Sequence, residues 1–177
     1  SGTSLQNSWI PSIDFGSFSI DRFIEVAVNT RAGIVYSDYY EKKGEQVTKH
    51  PVIEYQAGSL RDDFNFGPII LFNSTAFKNA VENSKNDYNA AGLYDLRLTI
   101  SRNNPVVRIP EFLYTAVELD LRKSGEKQFD YVDPKNRENQ LEMENAVTEH
   151  LKEINGFLKP EFKSVNFDFK KLWKTSS

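Results

Sequence analysis

Asp14, Asp38, Asp62 and Asp63 are the side chains that local sequence places best for chemistry. Asp14, in Ile13-Asp14-Phe15-Gly16, precedes a glycine-containing turn and a helix. A carboxylate there can help hold Mg²⁺ or Mn²⁺ bridging a diphosphate, because hard cations prefer oxygen ligands. It can equally cap the helix or stay solvated. Asp38 follows the apolar run Ile34-Val35-Tyr36 and has Tyr39 and Tyr40 beside it. A strand-end carboxylate with aromatic neighbours can bind a metal, a ribose or a sugar hydroxyl, with a ring such as Tyr39 stacking on the base or sugar. The plainer reading is an edge acid in a tyrosine-rich turn. Arg61-Asp62-Asp63 is a dense charge cluster between Leu60 and Phe64. Adjacent carboxylates can share a metal or divide acid and base roles. In an extended segment, however, neighbours face opposite sides, so one acid is left to pair with Arg61.

The remaining polar motifs carry less. Tyr94-Asp95-Leu96-Arg97 puts an acid and a base on a helix, where adjacent residues do not share a face, so surface ion pairing is expected. Glu111 follows Pro110 at a strand end. His50 and His150 are expected to be solvated. The 177-residue chain has no cysteine, which removes disulfides, thiolate metal sites and cysteine nucleophiles. Two histidines a hundred positions apart cannot form a polyhistidine site. No glycine-rich phosphate loop and no nucleophile elbow is present. A net charge of −3 with pI near 5.5 argues against a general nucleic-acid partner. No apolar run approaches the roughly 20 residues of a membrane span. An apolar content of 39% is enough for a packed core.

The elements that must position these residues alternate between helix and strand. Phe18, Ile20, Phe23, Ile24, Ala27 and Val28 recur on one helical face, with Gly33 as a stop. The patterns predict helices over 18–30, 75–83, 91–101 and 135–154, and strands over 34–38, 69–73 and 106–109. Asn73, Ser74 and Thr75 are candidate N-caps for the second helix. Residues 41–46, with Gly44, read as a loop or hairpin turn, and Pro110 reads as a break after the third strand, with an extended apolar pattern resuming at Phe112-Leu113-Tyr114. Composition shifts near residue 118. Asp133-Pro134 then signals a helix start. Its narrow stripe of Val147, Leu151, Ile154 and Leu158 is suited to docking on the domain or on another chain. Residues 162–173 alternate as a short strand or extended tail would. The fold expected is α/β, a mixed sheet with flanking helices over residues 1–117, followed by a charged helical extension and tail over 118–177. Ligands of such sheets gather at strand carboxyl ends, which places any site near Asp38 with the Arg61-Asp62-Asp63 loop on its rim.

The order of these segments resembles family 2 glycosyltransferases of the GT-A fold. Gly33-Ile34-Val35-Tyr36-Ser37-Asp38-Tyr39 is similar to the strand after that family's Asp-x-Asp region. Gly67-Pro68-Ile69-Ile70-Leu71-Phe72 and the helix after it resemble the elements bordering the acceptor site. Tyr94-Asp95-Leu96-Arg97-Leu98 resembles the helix after the Glu-Asp motif, and Val107-Arg108-Ile109-Pro110-Glu111-Phe112-Leu113-Tyr114 resembles the closing strand. The resemblance covers roughly residues 10–117. Only Asp14 stands where the metal motif has two acids, and Gly92-Leu93 occupies the place of the acceptor-activating acid. The chain therefore resembles a second half, or a degenerate copy, of a GT-A domain. Ser124 to Pro134 and the helix after it resemble a segment that precedes a complete catalytic domain in longer bacterial proteins.

The resemblance implies a domain of a larger cytoplasmic enzyme of polysaccharide biosynthesis, which moves a sugar from a nucleotide-sugar donor to a glycan or lipid-linked acceptor. Asp62 and Asp63 would be catalytic, Asp38, Tyr39 and Arg61 substrate-binding, and Asp14 the ligand of Mg²⁺ or Mn²⁺. The other reading is a catalytically silent accessory module, partnered with a downstream catalytic domain or with a second copy through the 135–158 helix. With so many parts missing, the isolated chain is expected not to turn over a sugar nucleotide.

Overall fold

A computed structural model describes residues 12–118 and 134–161. The elements run β1 (Ser12–Phe15), α1 (Ser19–Thr30), β2 (Ile34–Lys43), β3 (Gln46–His50), β4 (Leu71–Phe72), α2 (Ser74–Glu82), α3 (Gly92–Ser101), β5 (Val106–Glu118) and α4 (Pro134–Glu153). The sheet is mixed, in the order β1-β5-β2-β3. β2 pairs parallel with β5 and antiparallel with β3, and β1 pairs antiparallel with β5. The expected α/β class with a mixed sheet is what the chain forms. The tail over 162–173 and the cap at Asp133 lie outside the described residues.

β2 is the axis of the sheet. Ile34 to Tyr39 are all buried, as a strand covered on both faces requires. On the edge away from β5, β4 pairs with Ile34 and Val35, and β3 pairs with Tyr39 to Lys43. Tyr36 to Asp38 therefore face a gap in the ladder on that side. β2 runs five residues beyond the expected 34–38, because Gly44 takes a φ of 57° in a tight turn that folds β3 back onto it.

β5 does not end at Pro110. Its register against β2 shifts on both sides of Asp38: Ser37 faces Ile109, Asp38 faces Phe112 and Tyr39 faces Tyr114. Pro110 and Glu111 fall in the first irregularity, where the missing N–H of proline breaks no ladder bond. Leu113 falls in the second. Its carbonyl accepts from the Gly16 N–H (3.0 Å) and from the Ser19 hydroxyl, tying β1 and the start of α1 to the bulge.

α1 buries Ser19 and Phe23, with Val26 and Ala27 against the sheet. Of the apolar face expected from periodicity only Phe23 and Ala27 are used, since Phe18, Ile20, Ile24 and Val28 are exposed. Of the three cap candidates for α2, Asn73 serves: its side chain accepts from Thr75 N and Ala76 N, both at 3.0 Å. Gly33 is required by close approach. A Cβ there would lie 2.5 Å from side-chain atoms of Asn104 and Ile100.

α4 docks on α3, as one of the two expected modes has it, and the docking stripe is Met143, Ala146, Val147 and His150, which shares Val147 with the stripe expected. Leu158, which was to extend it, is exposed. The helix ends with Asn155 in the left-handed region (φ 57°), and the Gly156 N–H donates to Leu151 O at 2.7 Å. Glu142 accepts from Asn89 N, Ala90 N and Ala91 N at 2.7–3.2 Å, so α4 supplies the cap that α3 lacks locally. These backbone donors hold the Glu142 carboxyl below the usual carboxylate range.

The segment between β3 and β4, residues 51–70, has no regular structure, yet side chains of the surrounding elements satisfy its backbone. The Tyr36 hydroxyl donates to Ile53 O (2.8 Å), Tyr94 to Leu60 O (2.6 Å) and Arg97 Nη2 to Arg61 O (2.7 Å), while the Ile69 N–H donates to Tyr114 Oη (3.3 Å). Buried backbone groups that lack a ladder need such partners. Phe64 and Phe66 from this segment pack edge-on against Tyr36 and close the core.

Candidate functional site

Two places in this fold hold an arginine among the sheet and its loops, Arg108 partly exposed and Arg97 buried, and they are built differently. The first is the strand end where a ligand was expected. Asp38 is 3% exposed. Its Oδ1 accepts from Arg108 Nε (2.9 Å) and Val52 N (3.0 Å), and its Oδ2 accepts from Arg108 Nη2 (2.7 Å). The parallel register brings Arg108 opposite Tyr36, two residues from Asp38, and the Asp38 carboxylate also reaches Val52, just beyond β3. The carboxylate in turn raises the pKa of Arg108 above its ordinary value. Asp38 thus joins β2, β5 and the start of the 51–70 segment, and faces protein on every hydrogen-bonding side. Tyr39 is buried between Tyr114 (5.4 Å, nearly parallel) and His50 (4.6 Å), so its ring faces are already stacked. Burial pushes its hydroxyl pKa up.

The other expected residues do not converge with it. Arg61 and Asp63 form a bidentate pair at 3.0 Å on the surface, and this pairing lowers the Asp63 pKa. One acid of the Asp62-Asp63 doublet pairs with Arg61, as expected, but the doublet sits in a turn rather than in the extended segment from which that pairing was argued. Asp14 is exposed on the edge strand β1, opposite Thr115. Among the described residues, no group of three or more acids and histidines is placed to hold a metal ion. Asp14 alone supplies too few oxygen ligands for Mg²⁺ or Mn²⁺, and the Asp38 oxygens are committed. The arrangement does not fit the ion that the resemblance implies.

The second place is a cleft of about 200 Å³ between α3, α4 and the 60–72 segment. It opens beside Ile34, at the opposite end of the buried part of β2 from Asp38. Phe64, Phe66, Ile70 and Phe72 form one wall, and Leu93 and Met143 the other. Asp62 sits on its rim and Arg97 in its wall. Arg97 is 4% exposed. Its guanidinium lies 4.8 Å from the Tyr94 ring centre and 5.9 Å from those of Tyr55 and Phe66, a cation held by aromatic faces. Burial pulls its pKa below the ordinary arginine value, and Asp62 acts in the opposite direction. Arg97 Nε is buried with no hydrogen-bond partner, alone in this among the described buried side-chain atoms.

Arg97 and His150 are corrections to the expectations for these motifs. Arg97 makes no surface ion pair, and His150 is buried, accepting from Arg102 Nε at Nδ1 (3.2 Å). Burial, then the charges of Arg102 and Arg97, lowers the His150 pKa. The signal that could have found Arg97 is its spacing from Tyr94, three residues along one helix, which puts ring and guanidinium on one face. The rest of the cage comes from Tyr55 and Phe66, in a segment with no periodicity. Nothing in local sequence brings them to Arg97. No helix among the described residues is long and apolar enough to cross a membrane. Comparison of the chain with models of protein families, with curated proteins and with solved structures finds no match.

Proposed function

We propose that this chain is a glycosyltransferase-related domain acting as a catalytically silent accessory module of a larger enzyme that moves sugar from a nucleotide-sugar donor to a glycan or lipid-linked acceptor. The supporting observation is the condition of Asp38. A carboxylate that deprotonates an acceptor hydroxyl, or orders a sugar, must present an oxygen to the ligand. Here three hydrogen bonds, two of them from a guanidinium, turn both oxygens of Asp38 inward. The acid at the favoured strand end has become a structural tie. The segment-wise likeness to GT-A transferases supplies the family side of the proposal. A downstream catalytic domain is the partner that this reading assigns.

The experiment is a nucleotide-release assay on the purified chain with a panel of UDP- and GDP-sugars and Mn²⁺. The expected result is release at the buffer rate for every donor. Metal-dependent release well above that rate, abolished by Asp62→Asn or Asp63→Asn, would overturn the proposal. Both positions are exposed, so loss of activity in these variants would not reflect loss of the fold.

A further inference from the structure

Arg97 presents a problem that the fold alone does not solve. A buried guanidinium normally spends its N–H groups on carboxylates, carbonyls or ordered water. Arg97 donates from Nη2 to Arg61 O, and its Nε has no acceptor. Among the described residues no carboxylate lies within ion-pair distance of it, although Asp62 is near enough to act on its charge. The same side chain lines a cleft whose walls are otherwise apolar and aromatic, with exposed Leu93 and Asp62 at the mouth. A concave apolar surface with one convergent polar group is the usual build of a small-molecule site.

The chemistry of the cleft narrows the ligand. The guanidinium spends one of its five N–H groups on Arg61 O and presents a single positive charge, which suits one carboxylate. A phosphate is better matched by several cations, and among the described residues that line the cleft there is no lysine. The backbone amides ahead of α3, which might have served an anion, are already bound to Glu142. Asp62 at the rim disfavours a dianion and tolerates a monoanion. The volume of 200 Å³ is that of about seven liquid waters, enough for one aromatic ring with a short arm or a chain of about six to eight carbons. We propose that this cleft binds a small monocarboxylate with an apolar body, an aryl-alkyl or medium-chain acid. One carboxylate oxygen accepts from the Arg97 guanidinium where it lines the cleft, and the body lies between Phe64, Phe66, Ile70 and Leu93. The proposal stands on Arg97 and the cleft, and holds whether or not the chain takes part in sugar transfer.

The test is a titration of the purified chain with 3-phenylpropionate and octanoate, set against 3-phenylpropanol, 1-octanol and 3-phenylpropylamine, read by calorimetry and by amide shifts in NMR. Each acid is expected to bind saturably at one site, at least about tenfold tighter than its alcohol, as a charged hydrogen bond over a neutral one implies. The amine should not bind. Asp62→Asn should tighten the acids by about two- to threefold by removing the rim's negative charge. Leu93→Glu, at an exposed position, should weaken them about tenfold or more without changing the melting temperature. Equal affinity for acid and alcohol would reduce the cleft to an unspecific apolar hollow and overturn the proposal. So would the absence of saturable binding, or acid binding indifferent to both rim variants.

Discussion

Arg108 is a partly exposed cation paired with a buried carboxylate, and Arg97 is a buried cation with no such partner among the described residues. Arg108 meets a carboxylate in a bidentate pair, with a third bond from Val52 N completing Asp38. Arg97 meets three aromatic rings and one carbonyl, and keeps a free donor. The first arrangement is closed. Every charge has its opposite, and nothing is left to offer a ligand. The second is open: rings stabilise the guanidinium without consuming its N–H groups. Function is therefore to be sought at the incompletely satisfied cation, not at the acid whose position beside the strand end first suggested chemistry.

The largest effect should come from breaking the closed pair. Asp38→Ala leaves the Arg108 charge and the Val52 N–H without their partner, and is expected to destabilise the chain by about 3–5 kcal/mol, measured by urea unfolding. Gly67→Ala comes next. Gly67 has a φ of 80°, and a Cβ there would meet Tyr114 Oη at 2.7 Å and the Tyr39 ring at 3.1 Å. The expected loss is about 1–3 kcal/mol. Because Phe66 is its neighbour, that variant should also weaken ligand binding in the cleft, joining the two regions that the arginines separate.

A third expectation concerns pH. The His150 pKa is lowered in the folded chain from its ordinary 6.5, so below that value the unfolded chain takes up a proton that the folded one resists. The contribution of His150 is fully present above pH 6.5 and is lost as pH falls through the depressed folded value. Arg102, bonded to Nδ1, and Arg97 are the charges that disfavour the imidazolium. Unfolding free energies measured at intervals from pH 7.5 to 5.5 should fall with a slope that His150→Gln flattens. The smallest effect is expected for Glu142→Gln. It keeps an acceptor for the amides of Ala90 and Ala91 but loses the charge, so a slight drop in melting temperature should follow, larger for Glu142→Ala.

Much of the scaffold could be read from sequence because its signals are local. Asn73 caps α2, Pro134 opens α4, and periodicity locates α1 and α3 to within a residue or two. Where long-range pairing decides, reading failed. Pro110 has the local signature of a strand end, but a bulge opposite Asp38 lets β5 continue past it. α1 has an apolar face broader than the part it buries, since the sheet reaches only Ser19, Phe23, Val26 and Ala27. At the candidate sites the same distinction holds. That one of Asp62 and Asp63 would pair with Arg61 follows from their closeness in sequence, although the doublet forms a turn and not the extended segment expected. That Asp38 would be consumed depends on Arg108, seventy residues away in a parallel strand. The cage around Arg97 was hidden because two of its rings arrive on a segment whose path is set by side-chain bonds to β2, α3 and β5.

The contrast between the two arginines is tested most directly by one measurement, the urea-unfolding free energies of Arg108→Met and Arg97→Met side by side. Arg108→Met strands the buried Asp38 carboxylate and should cost about 3–5 kcal/mol. Arg97→Met exchanges a partly unsatisfied cation for an apolar chain of similar length among aromatic rings. It should stay within about 1 kcal/mol of the parent, the loss of the bond to Arg61 O being offset by the removal of a buried unpaired donor. Equal losses in the two variants, or a larger loss at Arg97, would contradict the account, because Arg97 would then be a structural tie and the cleft beside it would have no free donor to explain.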